Sequence, residues 1–340
     1  MLRDEMFNNI ENVDKNDRVP VWVISYNRFD APTLVRMKDW ERLDDVHVIV
    51  RETQVDKYRK SFPYLQFEAM PDERINSCGA ARWGAYDRAR ELGHEHAIML
   101  DDDLLQFRVL YQQHFVKGPN AGLPCSRVLD KEDIAELGGV AVAEEAAVTL
   151  MGQTARGVFA DEPKAVLGTA IKRLRSFDNR NHQTRYLLNG GATPRQWTAW
   201  HLTRLEEHGI RLNLDHFGVV GEDLGFLATL FEADLDAFSM PSFAYDYWNQ
   251  NEGQGRDPEG SDQSLIRTRG LAPILSEHEY NCLQLYEMGP NYLRSCPKGG
   301  DEYEWGEVDW RGLHRFRGTQ MKRVLWDADE ARNLEMDDIL

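Results

Sequence analysis

The first apolar run of the chain, V-P-V-W-V-I-S from Val19 to Ser25, is broken only by Pro20 and closed by the polar turn Y-N-R-F-D. A short apolar run bounded in this way predicts a buried strand. Pro32 suits the first turn of a helix, and Leu34, Met37, Trp40 and Leu43 follow at helical spacing, so a helix is expected to about Leu43. Strands are expected from Val46 to Val50 and from Leu65 to Met70. Asn76 to Leu92 reads as a helix that Gly93 stops, ahead of a strand from His96 to Leu100. This alternation belongs to an open, mostly parallel α/β sheet flanked by helices. Such sheets bind ligands beyond the carboxyl ends of their strands. Asp101, Asp102 and Asp103 follow the fourth strand directly.

Residues 104 to 185 break the alternation and read as a helical insertion. Helices are expected from Glu132 to Met151 and from Pro163 to Leu174, with G-P-N-A-G-L-P at 118 to 124 as a loop. Alternation resumes with a strand from Tyr186 to Asn189, a helix from Pro194 to Glu207, a strand from Arg211 to Leu214 and a helix opening near Gly221. Ala237 to Met240 is expected as an edge strand. The chain thus divides into a polar segment at 1–18, an α/β domain at 19–248 and a C-terminal loop and helical region at 249–340.

Composition narrows the partners. The formal net charge of -17 opposes broad attraction to nucleic acid, so any such contact must be local. Two basic runs qualify. One spans 172–185, with Lys172, Arg173, Arg175, Arg180 and Arg185 against Asp178; the other is R-G-L-H-R-F-R-G-T-Q-M-K-R at 311–323. Cys78, Cys125, Cys282 and Cys296 lie far apart without a C-x-x-C pair, which fits neither a zinc knuckle nor a disulfide framework and suits a reducing, cytoplasmic compartment. The first residues carry no apolar core of a secretion signal and no membrane-spanning run, so no membrane partner is expected.

Consecutive carboxylates raise one another's pKa, and something positive is expected to offset them. A hard divalent cation, Mn²⁺ or Mg²⁺, suits such oxygen ligands, with substrate phosphates completing its shell. On an extended segment Asp101 and Asp103 would face one way and Asp102 the other. A helix cap or a solvated acidic turn is the alternative.

The upstream segment N-x-x-G-A-A-R-W-G-A at 76–85, then a helix, then A-I-M-L-D-D-D-L, resembles the family 2 and related GT-A glycosyltransferases. The matching positions are Asn76, Gly79, Ala81, Arg82, Gly84, Asp101 and Asp103, while Trp83 stands where the family usually has Asn. The resemblance implies that Asn76, Gly79 and Arg82 contact the nucleotide, that Asp101 lies near the ribose or metal, and that Asp103 binds the metal. It also implies that Ser25, Tyr26, Asn27 and Arg28 border the base and phosphates, with Arg51 and Glu52 at the edge where the base lies. Asn189 and Gly190, in L-L-N-G-G-A-T-P-R, would approach the donor sugar. V-V-G-E-D-L-G-F at 219–226 resembles the Glu-Asp motif of inverting members, with Asp223 as base and Glu222 orienting the acceptor; acids in a first helical turn also suit the macrodipole. His216 and Asp246 are possible further metal ligands.

In this order, over residues 19 to 246, the motifs resemble the TET-associated glycosyltransferases, a GT-A family of phages and some eukaryotes. Its members are believed to glycosylate hydroxymethylated pyrimidines in DNA. The resemblance implies a metal-dependent transfer from a nucleotide-sugar, expected to be a UDP-sugar, to such a base, in the host cytoplasm if the protein is phage-encoded. The basic runs would then hold DNA phosphates, the alternative being solvated helix faces, and Trp197, Trp200 or Trp248 could replace the stacking lost when the base is extruded, the alternative for each being a place in the buried core. Other readings are a glycan, lipid-linked sugar or protein as acceptor, an inactive binding module, or nucleotidyl transfer. The last expects a Gly-rich loop after the first strand, and S-Y-N-R-F-D is poor in glycine.

Overall fold

The computed structural model describes residues 3–12, 18–75, 78–114, 124–172, 187–188, 196–210, 226, 230 and 233–247. The expectations at Asn76, Asn189, Gly190, His216, Glu222, Asp223, Trp248, the region 249–340 and the basic run 311–323 lie outside these residues, as does 172–185 apart from the backbone of Lys172.

Within them, β1 (Val21–Ile24), β2 (Val46–Arg51), β3 (Gln66–Met70) and β4 (His96–Asp101) are parallel and lie in the order β3-β2-β1-β4. All of β1 is buried, as both faces of a central parallel strand must be. The helices α2 (Pro32–Arg36), α3 (Val55–Ser61) and α4 (Cys78–Glu91) connect them. The helix expected to reach Leu43 ends at Arg36 and continues as a 3-10 turn over Met37–Asp39.

The remaining strands extend the same sheet. They are β5 (Leu104–His114), β6 (Pro124–Val128), β7 (Ala165–Lys172), β8 (Leu187–Leu188), β9 (Trp197–His201) and β10 (Asp236–Tyr247). Beyond β4 the order is β9-β7-β10-β5-β6, with β8 pairing β10. β9 runs antiparallel to both β4 and β7, while β10 is parallel to β7 and antiparallel to β5.

The α/β class stands, but four expectations need correction. The stretch after the aspartates is no purely helical insertion, because β5 and β7 lie inside the main sheet. Residues 163 to 174, expected as helix, hold β7: A-V-L-G-T-A-I is apolar on both faces, and periodicity cannot tell such a run from a buried helix. Within the stretch expected as helix from Pro194 to Glu207, Trp197–His201 form the fully buried strand β9, and the chain turns helical only at α7 (Leu202–Glu207). The strand at 237–240 continues to Tyr247 and is interior, since Pro241 falls in the register shift between Met240 and Ala244, where no ladder amide is required.

The long helix expected near 132–151 is observed as α5 (Lys131–Glu136) and α6 (Val140–Asp161), while α1 (Arg3–Glu11) packs on α6 and β5. Asp130 caps α5 in a capping box with Asp133. On β4, Ile98 meets α6 at Gly152, whereas Asp101, of opposite parity, meets Arg82 of α4. The two helices therefore cover opposite faces of the sheet. Among the described residues no helix is long and apolar enough to cross a membrane.

Candidate functional site

β2 and β3 lie on one side of β1 and β4 on the other, so the chain changes direction across the sheet between β1 and β4. This is a topological switch point, where the strand ends leave a crevice. Ile24 is the register partner of Asp101, which places Ser25 to Arg28 beside the aspartates.

Each aspartate has a different setting. Arg82 of α4, itself buried, donates to both carboxylate oxygens of Asp101 at 2.9 and 3.0 Å. Asp102 is buried; Ser25 Oγ donates to its Oδ2 at 2.5 Å, and Arg28 forms an ion pair with its Oδ1. Burial raises the Asp102 pKa to about 6, against the opposing pull of Arg28 and Ser25. Asp103 is raised further, to about 7, first by burial and then by the charges of Asp101 and Asp102. Arg28 lies 3.6 Å from Asp103 Oδ2, and Asp103 Oδ1 is buried with no hydrogen-bond partner among the described residues.

Residues 102 and 103 form a turn into β5, not an extended segment. Arg28 thus reaches both Asp102 and Asp103, and the simple alternation of facing does not hold. The positive charge expected near the aspartates is supplied in part by Arg28 and Arg82.

Residues that no motif singled out hold this turn. Thr33 Oγ1 donates to the Asp101 carbonyl at 2.8 Å and accepts from the Leu104 amide at 2.9 Å, while its own amide donates to the Asp102 carbonyl at 3.2 Å. Tyr58 Oη accepts from the Arg28 amide at 2.9 Å and lies 2.7 Å from Ser25 Oγ. Because the Ser25 hydroxyl proton goes to Asp102, Tyr58 must donate to Ser25. Arg28 amide, Tyr58, Ser25 and Asp102 thereby form one directed chain. Pro32-Thr33 at the start of α2 was a readable signal for the first residue; nothing local marked the second.

Of the expected nucleotide contacts, Tyr26 is half-buried and Arg51 stacks on one face of its ring, 4.1 Å from the centroid. Asn27 adopts a positive φ of 53°, and its amide donates to Gln54 Oε1 at 3.0 Å. Glu52 is exposed beside them, and Gly79 is buried in the first turn of α4. Trp83 stacks on Tyr86 and packs against Trp200 and Phe226, so its departure from Asn serves the core. Trp197 and Trp200 are fully buried in β9 and are not available for stacking on an extruded base. Asp246 pairs with Arg108 at 3.1 Å.

Residues 19–127 match the model of the TET-Associated Glycosyltransferase family, a span that includes the Ser25 loop, α4 and the aspartates. Similar solved structures include GalNAc-T7 with UDP, GalNAc and Mn²⁺, at 10% identity over 83% of this chain and 52% of that one, with a TM-score of 0.44. Another is glucosyl-3-phosphoglycerate synthase from Mycobacterium tuberculosis with Mn²⁺, UDP-glucose and phosphoglyceric acid, at 10% identity over 80% and 83% of the two chains, with a TM-score of 0.40. The present chain thus spans about half the length of GalNAc-T7. No curated protein sequence matches it.

Proposed function

We propose that this chain, a glycosyltransferase of the GT-A type by its match over residues 19–127, moves a sugar from a UDP-sugar to the hydroxymethyl group of a pyrimidine in DNA. The observation that carries the donor half is Asp103. Its buried, unpartnered Oδ1 and raised pKa at the switch point describe a carboxylate that Arg28, shared with Asp102, compensates only in part, and a divalent cation fits that place. Mn²⁺ or Mg²⁺ there would neutralise charge on the departing diphosphate. Asp103 would hold it directly, and Asp101, oriented by Arg82 of α4, would approach from the end of β4.

The chain's own groups set the geometry. Asp102 is the anchor of Arg28, which extends positive charge toward Asp103 and the diphosphate. Tyr26, backed by Arg51, offers its other face to the base, and Asn76, Asn189 and Gly190 border the donor. Asp223 takes the acceptor hydroxyl proton as that oxygen bonds to the sugar's anomeric carbon and the bond to the diphosphate breaks, while Glu222 orients the acceptor. The basic runs at 172–185 and 311–323 suit the phosphates flanking an extruded base. The family match is what supports DNA as acceptor.

The test incubates the protein with UDP-sugars, Mn²⁺ and hydroxymethylated or plain DNA, followed by digestion to nucleosides and mass spectrometry. A hexose increment confined to the hydroxymethylated nucleoside is expected. Metal-dependent donor hydrolysis without a modified nucleoside would remove DNA and leave the donor site standing. Full turnover after EDTA treatment would remove the metal.

A further inference from the structure

The carboxylate triplet lies at one end of β4, and a different cluster lies at the other. His96 opens β4 and His201 closes β9; they are register partners across the antiparallel pair, with ring centroids 4.6 Å apart. Glu95 stands beside them, its carboxylate 3.9 Å from His96 Nδ1 and 4.0 Å from His201 Nε2. One ligand atom from each residue lies within 4.8 Å of the others. At roughly 3.3 Å per residue, His96 is about 17 Å from Asp101, so this cluster cannot share the cation of the donor site. We propose that Glu95, His96 and His201 form a second cation site, selective for zinc and independent of the aspartates.

The donor set argues for the metal. Two imidazole nitrogens and one carboxylate oxygen suit Zn²⁺, with water as a fourth ligand, where an all-oxygen set suits Mg²⁺ or Mn²⁺. A cavity of about 420 Å³ adjoins the cluster, lined in part by Gln153, Arg156 and Phe159, and gives room for that water. Zinc bonds of about 2.1 Å place tetrahedral ligand atoms about 3.4 Å apart, so separations that now reach 4.8 Å must close by up to about 1.4 Å, which the exposed Glu95 side chain and small ring adjustments supply.

The scaffold is already rigid. His96 stacks on Phe159 of α6, with centroids 5.5 Å apart and planes 8° from parallel. The Glu95 carbonyl accepts the Leu202 amide at 2.8 Å. Arg204 is close, but its guanidinium donates to the carbonyls of Phe159, Glu162 and Ala165, whose partial negative charge offsets it. Arg156 opposes a cation, and Glu95 supplies the compensating charge. The Arg204 amide donates to His201 Nδ1 at 3.4 Å, so coordination through Nε2 must move the ring proton to Nδ1 and open that contact.

The test titrates Zn²⁺ alone into the EDTA-treated full chain. One equivalent is expected to bind in Asp103→Ala. In His96→Ala, affinity should fall by more than the about 10–100-fold that outer-shell changes cost. Glu95→Gln, at an exposed position, serves as the second variant should the histidine change impair folding, and weaker binding is expected there too. Histidine ¹⁵N NMR should report the His201 ring passing to the Nδ1-protonated tautomer on zinc addition. Zinc uptake equal to wild type in both Glu95→Gln and His96→Ala, or none in Asp103→Ala, overturns the proposal.

Discussion

Arg82 holds Asp101 through both carboxylate oxygens, at 2.9 and 3.0 Å, from a helix on one face of the sheet. Arg28 holds Asp102 from the loop after β1. Two adjacent acids are thereby matched by two arginines, and the third, Asp103, is left under their influence without a match of its own. A cation-dependent activity would rest on that imbalance.

The imbalance predicts a pH signature. Asp103 has its folded-state pKa raised from 3.8 to about 7, so on unfolding it releases a proton between those values. Its contribution therefore favours folding below about pH 4 and is lost as pH rises to about 7. Asp102 acts in the same sense up to about 6. His96 and His201, lowered from 6.5 to about 4 first by burial, act oppositely and gain as pH rises through that window. Comparing wild type with Asp103→Asn cancels these shared terms. In EDTA, the variant's melting-temperature advantage should grow from pH 4 to pH 7 and then level off, and Mn²⁺ should stabilise only the wild type. An advantage independent of pH would refute the assignment.

Thr33→Val keeps the side-chain shape and the Thr33 amide bond to Asp102, but it removes the hydroxyl that bridges the Asp101 carbonyl and the Leu104 amide. A buried amide then loses its acceptor, at a cost of about 1–3 kcal/mol. Urea denaturation should show that loss, and Mn²⁺ affinity should fall because the turn carrying Asp103 is no longer held. Unchanged stability would show that the hydroxyl does not hold the turn.

Tyr58→Phe breaks the chain from the Arg28 amide to Asp102 at its middle, leaving Ser25 bonded to Asp102. A stability loss of about 1–2 kcal/mol is expected. Donor KM should rise more than kcat falls, because Tyr58 orients the Arg28 loop and touches no reacting atom. Equal stability and KM in a side-by-side assay would count against this role.

The legible and illegible parts of the chain differ for physical reasons. β1, β2 and β4 are legible to within about two residues because each is a short, mostly apolar run with polar turns at its ends, whereas β3, Q-F-E-A-M, is legible more weakly, by alternation. Ser25, Arg28 and the aspartates were readable as a group because parallel strand ends converge in any such sheet. β7 and β9 read as helix from sequence because neither has a solvent face to impose alternation. With β9 misread, the pairing of His96 with His201 was invisible. Tyr58 was missed because its tie to Arg28 spans 30 residues and depends on how α3 packs.

Helix α6 offers a test of the packing itself, because two of its glycines should respond to alanine with opposite sign. At Gly152 an added Cβ would lie 2.9 Å from Ile98 Cδ1 and 3.0 Å from Val19 Cβ, both on buried residues of the central sheet region. Overpacking of this kind costs about 1–3 kcal/mol and should exceed the roughly 1 kcal/mol that alanine gains in a helix. At Gly157, on the exposed side, nothing lies within 4 Å of the added carbon, and the helix gain should appear in full. Gly157→Ala should therefore melt higher than wild type and Gly152→Ala lower. If both variants were stabilised, α6 could not press on β4 as closely as described, and the placement of β4, with His96 at one end and Asp101 at the other, would have to be revised.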